Sequence, residues 1–401
     1  MKNSIHKILL YIFLVFFVGL NALAQRPNYK IITAEIQSIQ KQLVPDKRVA
    51  ILNISLKDTL RQPIVIKGET NLPEGKAKIV KSLNELGIQF VDSIRLLPEA
   101  SLGSKIWGIA KLSVANMRTV PAHSGEMASQ VLMGTPVKIL AEKEDWLQVQ
   151  TPDMYIGWMN RGAIVLKTEA EMTTWKQGNR YIFNRINGVA LASPSKNAQP
   201  VSDLVLCDLF ELVSETKGYL QVRLPDGRTA FVKKNECISF QEWTSRPVDV
   251  PSVLSVARQM MGVPYFWGGT SSKAADCSGL TKTSYYSQGV VLSRDASQQV
   301  RYGSHPDFTD YRNLQPGDLI FFGSSPQRVT HVALCLGNGT FIHASGSSAM
   351  VRLNSLNPAD SLFDANLLKS LVGSSRIVNS LNTEGIVPVK NHPWYSIINN
   401  Q

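Results

Sequence analysis

The sequence contains little cysteine, and its cysteines are widely separated. The four are Cys207, Cys237, Cys277 and Cys335, and no two of them form a C-x-x-C pair. This spacing argues against a zinc site and against a redox dithiol, so we expect neither a metal nor another cofactor. In an exported protein Cys207 and Cys237 could form a disulfide, or both could be ordinary buried thiols.

Charge is also sparse, and it is dispersed. Charged residues make up 18% of the 401 residues, and no run of Lys or Arg is longer than two. The excess of 42 Lys and Arg over 31 Asp and Glu gives a net charge of +11, which suits an anionic partner such as an acidic wall polymer. Because the chain has neither a basic stripe nor a nucleic-acid-binding motif, we do not expect a nucleic-acid partner.

Long apolar runs are missing except at the beginning of the chain. Ile8 to Leu20 is almost continuously apolar, Lys2 and Lys7 precede it, and the small residues of Asn21–Ala24 follow it. This pattern predicts a secretory signal peptide over residues 1–24, since the run is shorter than the roughly 20 residues that cross a bilayer. An uncleaved anchor is the alternative. We expect an exported, periplasmic or extracellular protein with no stable membrane anchor.

Hydrophobic residues make up 44% of the full sequence. The chain has material for about two to four compact domains. Residues 25–104 are predicted to form a small α/β module of unassigned function. Its predicted elements are strands at Arg48–Lys57 and Pro63–Glu69, a helix at Gly75–Leu86 and a strand at Ile88–Leu97.

Two β-rich segments with a shared pattern follow, over residues 105–168 and 178–243. Each contains an aromatic-Leu-Gln-Val strand, Trp146–Val149 in the first and Tyr219–Val222 in the second. A repeat of this kind predicts two small β-barrels. With Gly157-Trp158, the shared unit resembles bacterial SH3-like domains. A single β-sandwich of similar length is the alternative.

The segment 250–401 contains the side chains that could take part in catalysis. Ser252 is predicted to cap a helix that ends near Met261, and a second helix is predicted to begin at Cys277. At the start of a helix the peptide dipoles and free N–H groups favour a thiolate and could hold an oxyanion. A buried, inert thiol is the alternative for this cysteine.

A nucleophilic thiol needs a base, and a predicted hairpin provides two histidines, His331 and His343. A three-residue loop at Gly337–Gly339 would pair Leu336 with Thr340 and put both histidines on one face. A two-residue turn would put His343 on the opposite face. We therefore predict the three-residue loop, with His331 as general base and His343 orienting its ring. For His343 a purely structural role is the alternative.

Four motifs in this region resemble the NlpC/P60 family of papain-like cell-wall cysteine peptidases. They are Pro264–Gly269, Asp276–Leu280, Pro316–Leu319 and His331–Gly337. The resemblance implies an α+β chain, in which a papain-like domain with helices on an antiparallel sheet follows the two SH3-like barrels and the small α/β module.

The resemblance also implies functional residues. It implies a catalytic triad of Cys277, His331 and His343, and substrate contacts from Tyr265 and Ser278. The neighbouring Phe266 and Trp267 are expected to pack as an aromatic turn.

The domain order looks more narrowly like that of the γ-D-glutamyl-L-diamino-acid endopeptidases. These enzymes cut peptidoglycan stem peptides that have a free N-terminal L-alanine and release L-alanyl-D-glutamate. The resemblance implies that Asp295, Glu126 and Tyr155 bind the free amine. Relatives often carry Ser where this chain has Ala296, which removes one possible hydroxyl donor.

Other functions remain possible on the sequence. The chain could be another wall amidase or cross-bridge endopeptidase, or a non-catalytic wall-binding protein. The preference for lysine or diaminopimelate is not fixed. The expected partner is a peptidoglycan stem peptide, and we expect a monomer.

Overall fold

The computed structural model describes residues 29–57 and 63–397. The predicted signal peptide lies outside these residues. The described residues divide into two compact units, one up to residue 97 and one from residue 98 onward. In the described part of the chain, no helix combines the length and the apolar character needed to span a bilayer.

The first unit is a three-stranded sheet with two helices. Its elements are α1 (Tyr29–Leu43), β1 (Leu52–Lys57), β2 (Ile64–Thr70), α2 (Pro73–Glu85) and β3 (Phe90–Leu96). The strand order is β1-β2-β3, with β1 and β2 antiparallel and β2 and β3 parallel across the α2 connection. Helix α1 was not predicted from the sequence. It buries Ile32, Ile36 and Ile39, whose helical spacing forms one apolar stripe.

The second unit begins with a seven-stranded antiparallel sheet in the order β10-β4-β7-β8-β9-β5-β6. Its strands are β4 (Trp107–Ala110), β5 (Val114–Arg118), β6 (Met127–Leu132), β7 (Pro136–Lys143), β8 (Trp146–Gln150), β9 (Ile156–Asn160) and β10 (Ile164–Lys167). Alternate residues such as Val137 and Ile139 on β7 and Leu147 and Val149 on β8 point into one core.

Helix α3 (Glu169–Gln177), which is capped by Thr168, leads to a second seven-stranded sheet in the order β13-β12-β16-β15-β14-β11-β17. Its strands are β11 (Arg180–Phe183), β12 (Asn187–Leu191), β13 (Pro200–Val205), β14 (Leu209–Thr216), β15 (Tyr219–Arg223), β16 (Thr229–Lys233) and β17 (Cys237–Ser239). The repeated sequence pattern occupies equivalent strands, because β8 lies between β7 and β9 and β15 lies between β14 and β16.

The last part of the second unit packs helices on a five-stranded antiparallel sheet in the order β24-β23-β22-β21-β25. Its helices are α4 (Phe240–Ser245), α5 (Val250–Gln259), α6 (Cys277–Tyr286), α7 (Ala296–Gln299) and α8 (Ala365–Ser370). Its strands are β18 (Thr270–Ser271), β19 (Ala274–Ala275), β20 (Val290–Leu292), β21 (Leu319–Ser325), β22 (Arg328–Gly337), β23 (Thr340–Ser345), β24 (Met350–Ser355), β25 (Leu371–Ser375) and β26 (Ile386–Pro388). Leu280 of α6 is buried in one core with Phe321, Val332 and Ile342 of the sheet.

The cap of helix α5 differs from the prediction. Asp249, not Ser252, is the capping residue, and its carboxylate accepts the N–H of Ser252 at 3.0 Å. The helix therefore begins three residues earlier than a Ser252 cap would allow, with Pro251 in its first turn, where a missing N–H is not a loss.

The hairpin that carries the two histidines differs from the prediction at its turn. Gly337 pairs with Thr340, so the loop has two residues, and both the predicted three-residue loop and the predicted partner of Leu336 are wrong. A β-bulge between Cys335 and Gly337 adds one residue to β22. From Cys335 toward His331, the strands therefore have the register that the three-residue loop would have produced. Because the bulge offsets the shorter turn, the two histidines still lie on one face.

Candidate active site

Cys277 is the first residue of α6, as the sequence predicted, and it is buried, with 8% of its surface exposed. The capping residue is Asp276, whose carboxylate accepts the N–H groups of Gly279 at 2.7 Å and Gly268 at 3.0 Å. One side chain therefore fixes both the start of the helix and the preceding loop. This arrangement holds the thiol in a defined position.

The thiol lies beside the part of β22 that precedes its pairing with β23. The ladder between β22 and β23 starts only at Leu334 and Ile342, although β22 begins at Arg328. The backbone N–H groups of Val332, which precedes the ladder, and of Ser278 lie close enough to the sulfur to act against the rise in the pKa of Cys277. The thiol therefore lies next to the strand position of His331.

Burial and the nearby Asp276 carboxylate raise the pKa of Cys277 to about 12. The two N–H donors and Arg294 act in the opposite direction and do not outweigh burial. Burial, and next the Asp276 carboxylate, therefore outweighs whatever the helix start contributes toward a thiolate. At neutral pH the sulfur keeps its proton, and a base must remove it.

The two histidines form a relay with an asparagine. His331 Nε2 lies 2.7 Å from His343 Nδ1, and His343 Nε2 lies 3.0 Å from Asn354 Oδ1. The Asn354 amide nitrogen is directed toward the Leu362 carbonyl at 3.5 Å, so its oxygen faces the histidine. His343 Nε2–H then donates to Asn354, and His343 Nδ1 accepts the Nε2–H of His331. This leaves His331 Nδ1 unprotonated and able to accept a proton.

Burial sets the charge of both rings. Burial, and next the neighbouring His343, lowers the pKa of His331 to about 3. Burial also lowers the pKa of His343, with the Asn354 hydrogen bond opposing this shift and the Arg352 cation adding to it. Both imidazoles are neutral at pH 7, which is the form that a general base requires.

Tyr265 lies beside the thiol. Burial, then Cys277 and then Asp276, raises its pKa to about 12, so the hydroxyl remains a hydrogen-bond donor at neutral pH. Its backbone N–H donates to Ala349 at 2.9 Å, which ties this loop to the turn between β23 and β24.

The two residues after Tyr265 are exposed, contrary to the expectation of a packed turn. Phe266 is 42% exposed and Trp267 is 61% exposed. The Trp267 indole N–H donates to Glu126 Oε1 at 2.8 Å. This bond brings Glu126, which directly precedes β6, to the loop that carries Tyr265.

Arg294, which the sequence did not single out as a site residue, connects three elements. Its guanidinium pairs with Asp276 at 2.6 Å, donates to Ser278 Oγ at 3.0 Å and donates to Ser129 Oγ at 3.0 Å. Although burial acts against it, Asp276 raises the pKa of Arg294, so the cation persists. The Ser278 hydroxyl is engaged in this network, while its N–H faces the sulfur.

Asp295 and Tyr155 border the same cation. Asp295 caps α7, and its Oδ1 lies 3.9 Å from Arg294 Nη1. Tyr155 is buried and interacts electrostatically with Arg294. The segment before Tyr155 is anchored by a 2.7 Å ion pair between Asp153 and Lys282 of α6. The predicted residues Asp295, Tyr155 and Glu126 therefore lie around the start of α6.

The sequence contained a signal for two residues that were missed. In β24 the apolar Val351 and Leu353 alternate with the polar Arg352 and Asn354. Period-two alternation puts the two polar side chains on one face, but the partner strand was needed to show that this face is the one with the histidines.

All four cysteines are free thiols, so the disulfide alternative for Cys207 and Cys237 is not realised. Over residues 29–57 and 63–397, no group of three or more His, Cys, Asp and Glu side chains could hold a metal ion.

Two family models match the chain. The NlpC/P60 family matches residues 262–368, and the bacterial dipeptidyl-peptidase Sh3 domain matches residues 117–164. A γ-D-glutamyl-L-lysine dipeptidyl-peptidase of Bacillus cereus is 28% identical over 279 residues, covering 66% of this chain and 82% of that protein. Dipeptidyl-peptidase 6 of Lysinibacillus sphaericus is 30% identical over 269 residues, covering 64% and 94%.

The fold is shared with a crystal structure of an NlpC/P60 family protein from Bacillus cereus. The TM-score is 0.59 at 23% identity, covering 67% of this chain and 99% of that one. With a nucleophile-bearing helix set on an antiparallel sheet and an Sh3 domain before it, the chain therefore belongs to the NlpC/P60 family of cysteine peptidases.

Proposed function

We propose that this protein hydrolyses the γ-D-glutamyl-L-diamino-acid bond of peptidoglycan stem peptides that have a free N-terminal L-alanine. It would release L-alanyl-D-glutamate and act in wall turnover or recycling. Similarity to proteins named γ-D-glutamyl-L-lysine dipeptidyl-peptidase supports the bond type. The observation that supports the proposal is that Asp295 and Tyr155 border Arg294, which pairs with the cap of α6, and that Glu126 is bonded to Trp267 in the loop before that helix.

The reaction begins with proton transfer from the Cys277 thiol to His331 Nδ1. The thiolate attacks the γ-glutamyl carbonyl, and backbone N–H groups at the start of α6 stabilise the oxyanion. His331 then gives its proton to the leaving amine of the diamino acid. Water, activated by the same ring, hydrolyses the thioester. His343 orients His331 and stabilises the imidazolium.

The N-terminal ammonium group of the substrate would be held by the carboxylates of Glu126 and Asp295 and by the Tyr155 hydroxyl. A buried ammonium loses its water and needs charged or polar acceptors in return. Because Glu126 and Tyr155 belong to the Sh3 domain, that domain leaves room for only two residues before the scissile bond. Glycan-linked stems, which have no free alanine amine, would then be excluded.

The wider organisation is part of the proposal. The second seven-stranded sheet is a second SH3-like barrel, with domains at residues 105–168, 178–243 and 250–401 after a small α/β module at 25–104. A signal peptide over residues 1–24 exports the chain to the periplasm or beyond, where it acts as a monomer. The repeated strand pattern and the shared position of β8 and β15 support the second barrel.

The test is product analysis by mass spectrometry. The purified protein should release Ala-Glu from L-Ala-γ-D-Glu-L-Lys and not from the N-acetylated peptide. Cys277→Ala should abolish turnover, whereas Cys237→Ser, a change at a thiol outside the site, should not. Asp295→Asn should raise KM for the free-amine peptide about tenfold or more, because a charge-assisted hydrogen bond is lost. Equal cleavage of free and acetylated peptides would refute the amine pocket.

A further inference from the structure

One arginine lies beside the histidine relay without taking part in it. Arg352 of β24 is directly opposite His343 of β23 in the antiparallel register. Residues paired in this way share a face of the sheet. The Arg352 side chain therefore lies on the face that carries the catalytic histidines, and it is half-buried there.

The Arg352 guanidinium has neutral partners. It donates from Nη1 to Ser348 Oγ at 2.9 Å and from Nε to the Leu353 carbonyl at 3.3 Å. Ser348 belongs to the turn between β23 and β24, where its N–H donates to Ser345 Oγ at 3.2 Å. The turn holds the hydroxyl next to the cation.

The charge of Arg352 is not balanced by a neighbouring acid. Within the described ranges no ion pair involves Arg352, whereas the buried Arg294 and the largely buried Arg376 pair with Asp276 and Asp318. Its cation opposes protonation of His343, and the Asp364 carboxylate works in the other direction. A cation in this position makes it harder to protonate the two histidines. Because no carboxylate of the described residues pairs with Arg352, a carboxylate of a bound ligand would be a suitable partner for its charge.

The direction of the substrate identifies that anion. Asp295, Glu126 and Tyr155 bind the N-terminal side, near α7 and the Sh3 domain. His331 protonates the leaving amine, so the diamino acid attached to that amine lies on the histidine side of the site, where Arg352 of β24 pairs with His343 of β23. Its nearest anionic groups are its α-carboxylate and, in diaminopimelate, a second carboxylate on the side chain.

We infer that Arg352, assisted by the Ser348 hydroxyl, binds a carboxylate of the leaving diamino acid. The inference rests on the proposed function and adds a second charged contact on the opposite side of the scissile bond. A planar guanidinium can bind a carboxylate through two parallel hydrogen bonds, which a neutral C-terminal amide cannot replace.

The experiment compares three peptides that share L-Ala-γ-D-Glu. They end in L-Lys with a free carboxylate, in L-Lys amide, and in meso-diaminopimelate whose α-carboxyl is amidated. For the parent protein, kcat/KM for a carboxylate-bearing peptide should exceed that for L-Lys amide about tenfold or more. In Arg352→Gln this ratio should fall to within about twofold of one. Arg352→Lys should keep part of the preference for the carboxylate peptide, because lysine retains the positive charge but lacks the planar guanidinium that can form two parallel hydrogen bonds.

Arg312→Gln is the matched control, since Arg312 is an exposed arginine paired with Asp310, and its ratio should equal that of the parent. The ratio is measured within one protein, so a change in the folded fraction cancels. Selectivity for the diaminopimelate peptide assigns the side-chain carboxylate, and selectivity for free L-Lys alone assigns the α-carboxylate.

An unchanged ratio in Arg352→Gln, or a parent ratio near one, would overturn this inference and leave the proposed function intact. If the parent cleaves none of the three peptides, the proposed function fails and the inference fails with it.

Discussion

The hydrogen bond between His343 and Asn354 decides which nitrogen of His331 is free. An amide oxygen can only accept, so it keeps the proton on His343 Nε2 and thereby keeps His331 Nδ1 basic. A carboxylate at position 354 would favour the charged rings and raise their pKa values, whereas a neutral amide fixes the tautomer without adding charge.

We predict that Asn354→Leu lowers kcat by about a hundredfold with little change in KM, because His331 loses its fixed tautomer. Asn354→Asp should keep activity but move the acid limb of kcat/KM to higher pH. A pH profile of both variants measures this. If the leucine variant kept the parent's kcat, or the aspartate variant kept its profile, Asn354 would have no positioning role.

At this scale part of the site could be predicted from the sequence. His331 and His343 could be predicted because a base is chemically required and few histidines are present. Asn354 could not, since its contact depends on the register between β23 and β24. Arg294 was overlooked for another reason: a fully buried arginine is rare, and only the folded chain shows that Ser129 and Asp276 surround it.

At the scale of elements, the Sh3 domain is joined to the nucleophile helix by buried polar contacts. Thr270 of β18 exchanges hydrogen bonds with Gln130 of β6 at 2.8 to 3.1 Å. Arg294, which is 1% exposed, bridges from the cap of α6 to Ser129. The Sh3 domain, which carries the residues that we propose to bind the substrate amine, and the start of α6 therefore share one polar network.

Removing one charge from this network should be costly. We predict that Arg294→Met destabilises the protein by about 3–5 kcal/mol, because Asp276 is left buried without its cation. The double change with Asp276→Asn should cost less than the sum of the two single changes. Urea unfolding gives these free energies of unfolding. The control Arg312→Met removes an exposed pair and should cost less than about 1 kcal/mol.

If Arg294→Met lowered the free energy of unfolding no more than Arg312→Met does, the buried pair of Arg294 and Asp276 would not contribute to stability. Additive costs in the double variant would show that Arg294 and Asp276 act independently.

The hairpin of β22 and β23 shows why its turn was predicted wrongly from the sequence. Strand alternation and a simple loop count led to a three-residue turn, because a shorter turn would have inverted the face of His343. The chain instead uses a two-residue turn and a bulge after Cys335, and the two changes cancel. A bulge of this type leaves no clear signal in one sequence, so the face of His343 was predicted correctly by a wrong turn geometry.

At the scale of the whole second unit, the C-terminal segment joins its parts. Trp394 packs edge-on against Trp107 of β4 at 5.2 Å between ring centroids. The Tyr395 and Tyr286 hydroxyls lie 2.9 Å apart, which links the segment to α6. His392 Nε2 lies 2.9 Å from the carbonyl oxygen of Pro152, close to Tyr155. These long-range contacts have no local pattern and could not be predicted from sequence.

Three histidines make this unit sensitive to acid, of which His343 and His392 are buried and His331 is half-buried. Burial lowers the pKa of His331, His343 and His392. In the unfolded chain the same rings take up protons near pH 6.5. Between that pH and the lower native pKa values, the unfolded state binds more protons, so the stability that these rings contribute is present above about pH 6.5 and is lost as the pH falls.

We predict that the melting temperature of the parent falls between pH 7 and pH 4.5. The melting temperature of His331→Gln should fall less, because this variant lacks the imidazole whose pKa is lowered furthest in the parent, to about 3. Asp153, whose pKa is lowered by Lys282 against burial, loses its contribution only below about pH 3.8, outside this window. The buried Asp208, whose raised pKa acts in the opposite direction, is common to both proteins and cancels in their difference. Differential scanning calorimetry at both pH values measures that difference. Parallel curves for the two proteins would mean that His331 is already protonated in the native state, which would contradict its assignment as a neutral general base.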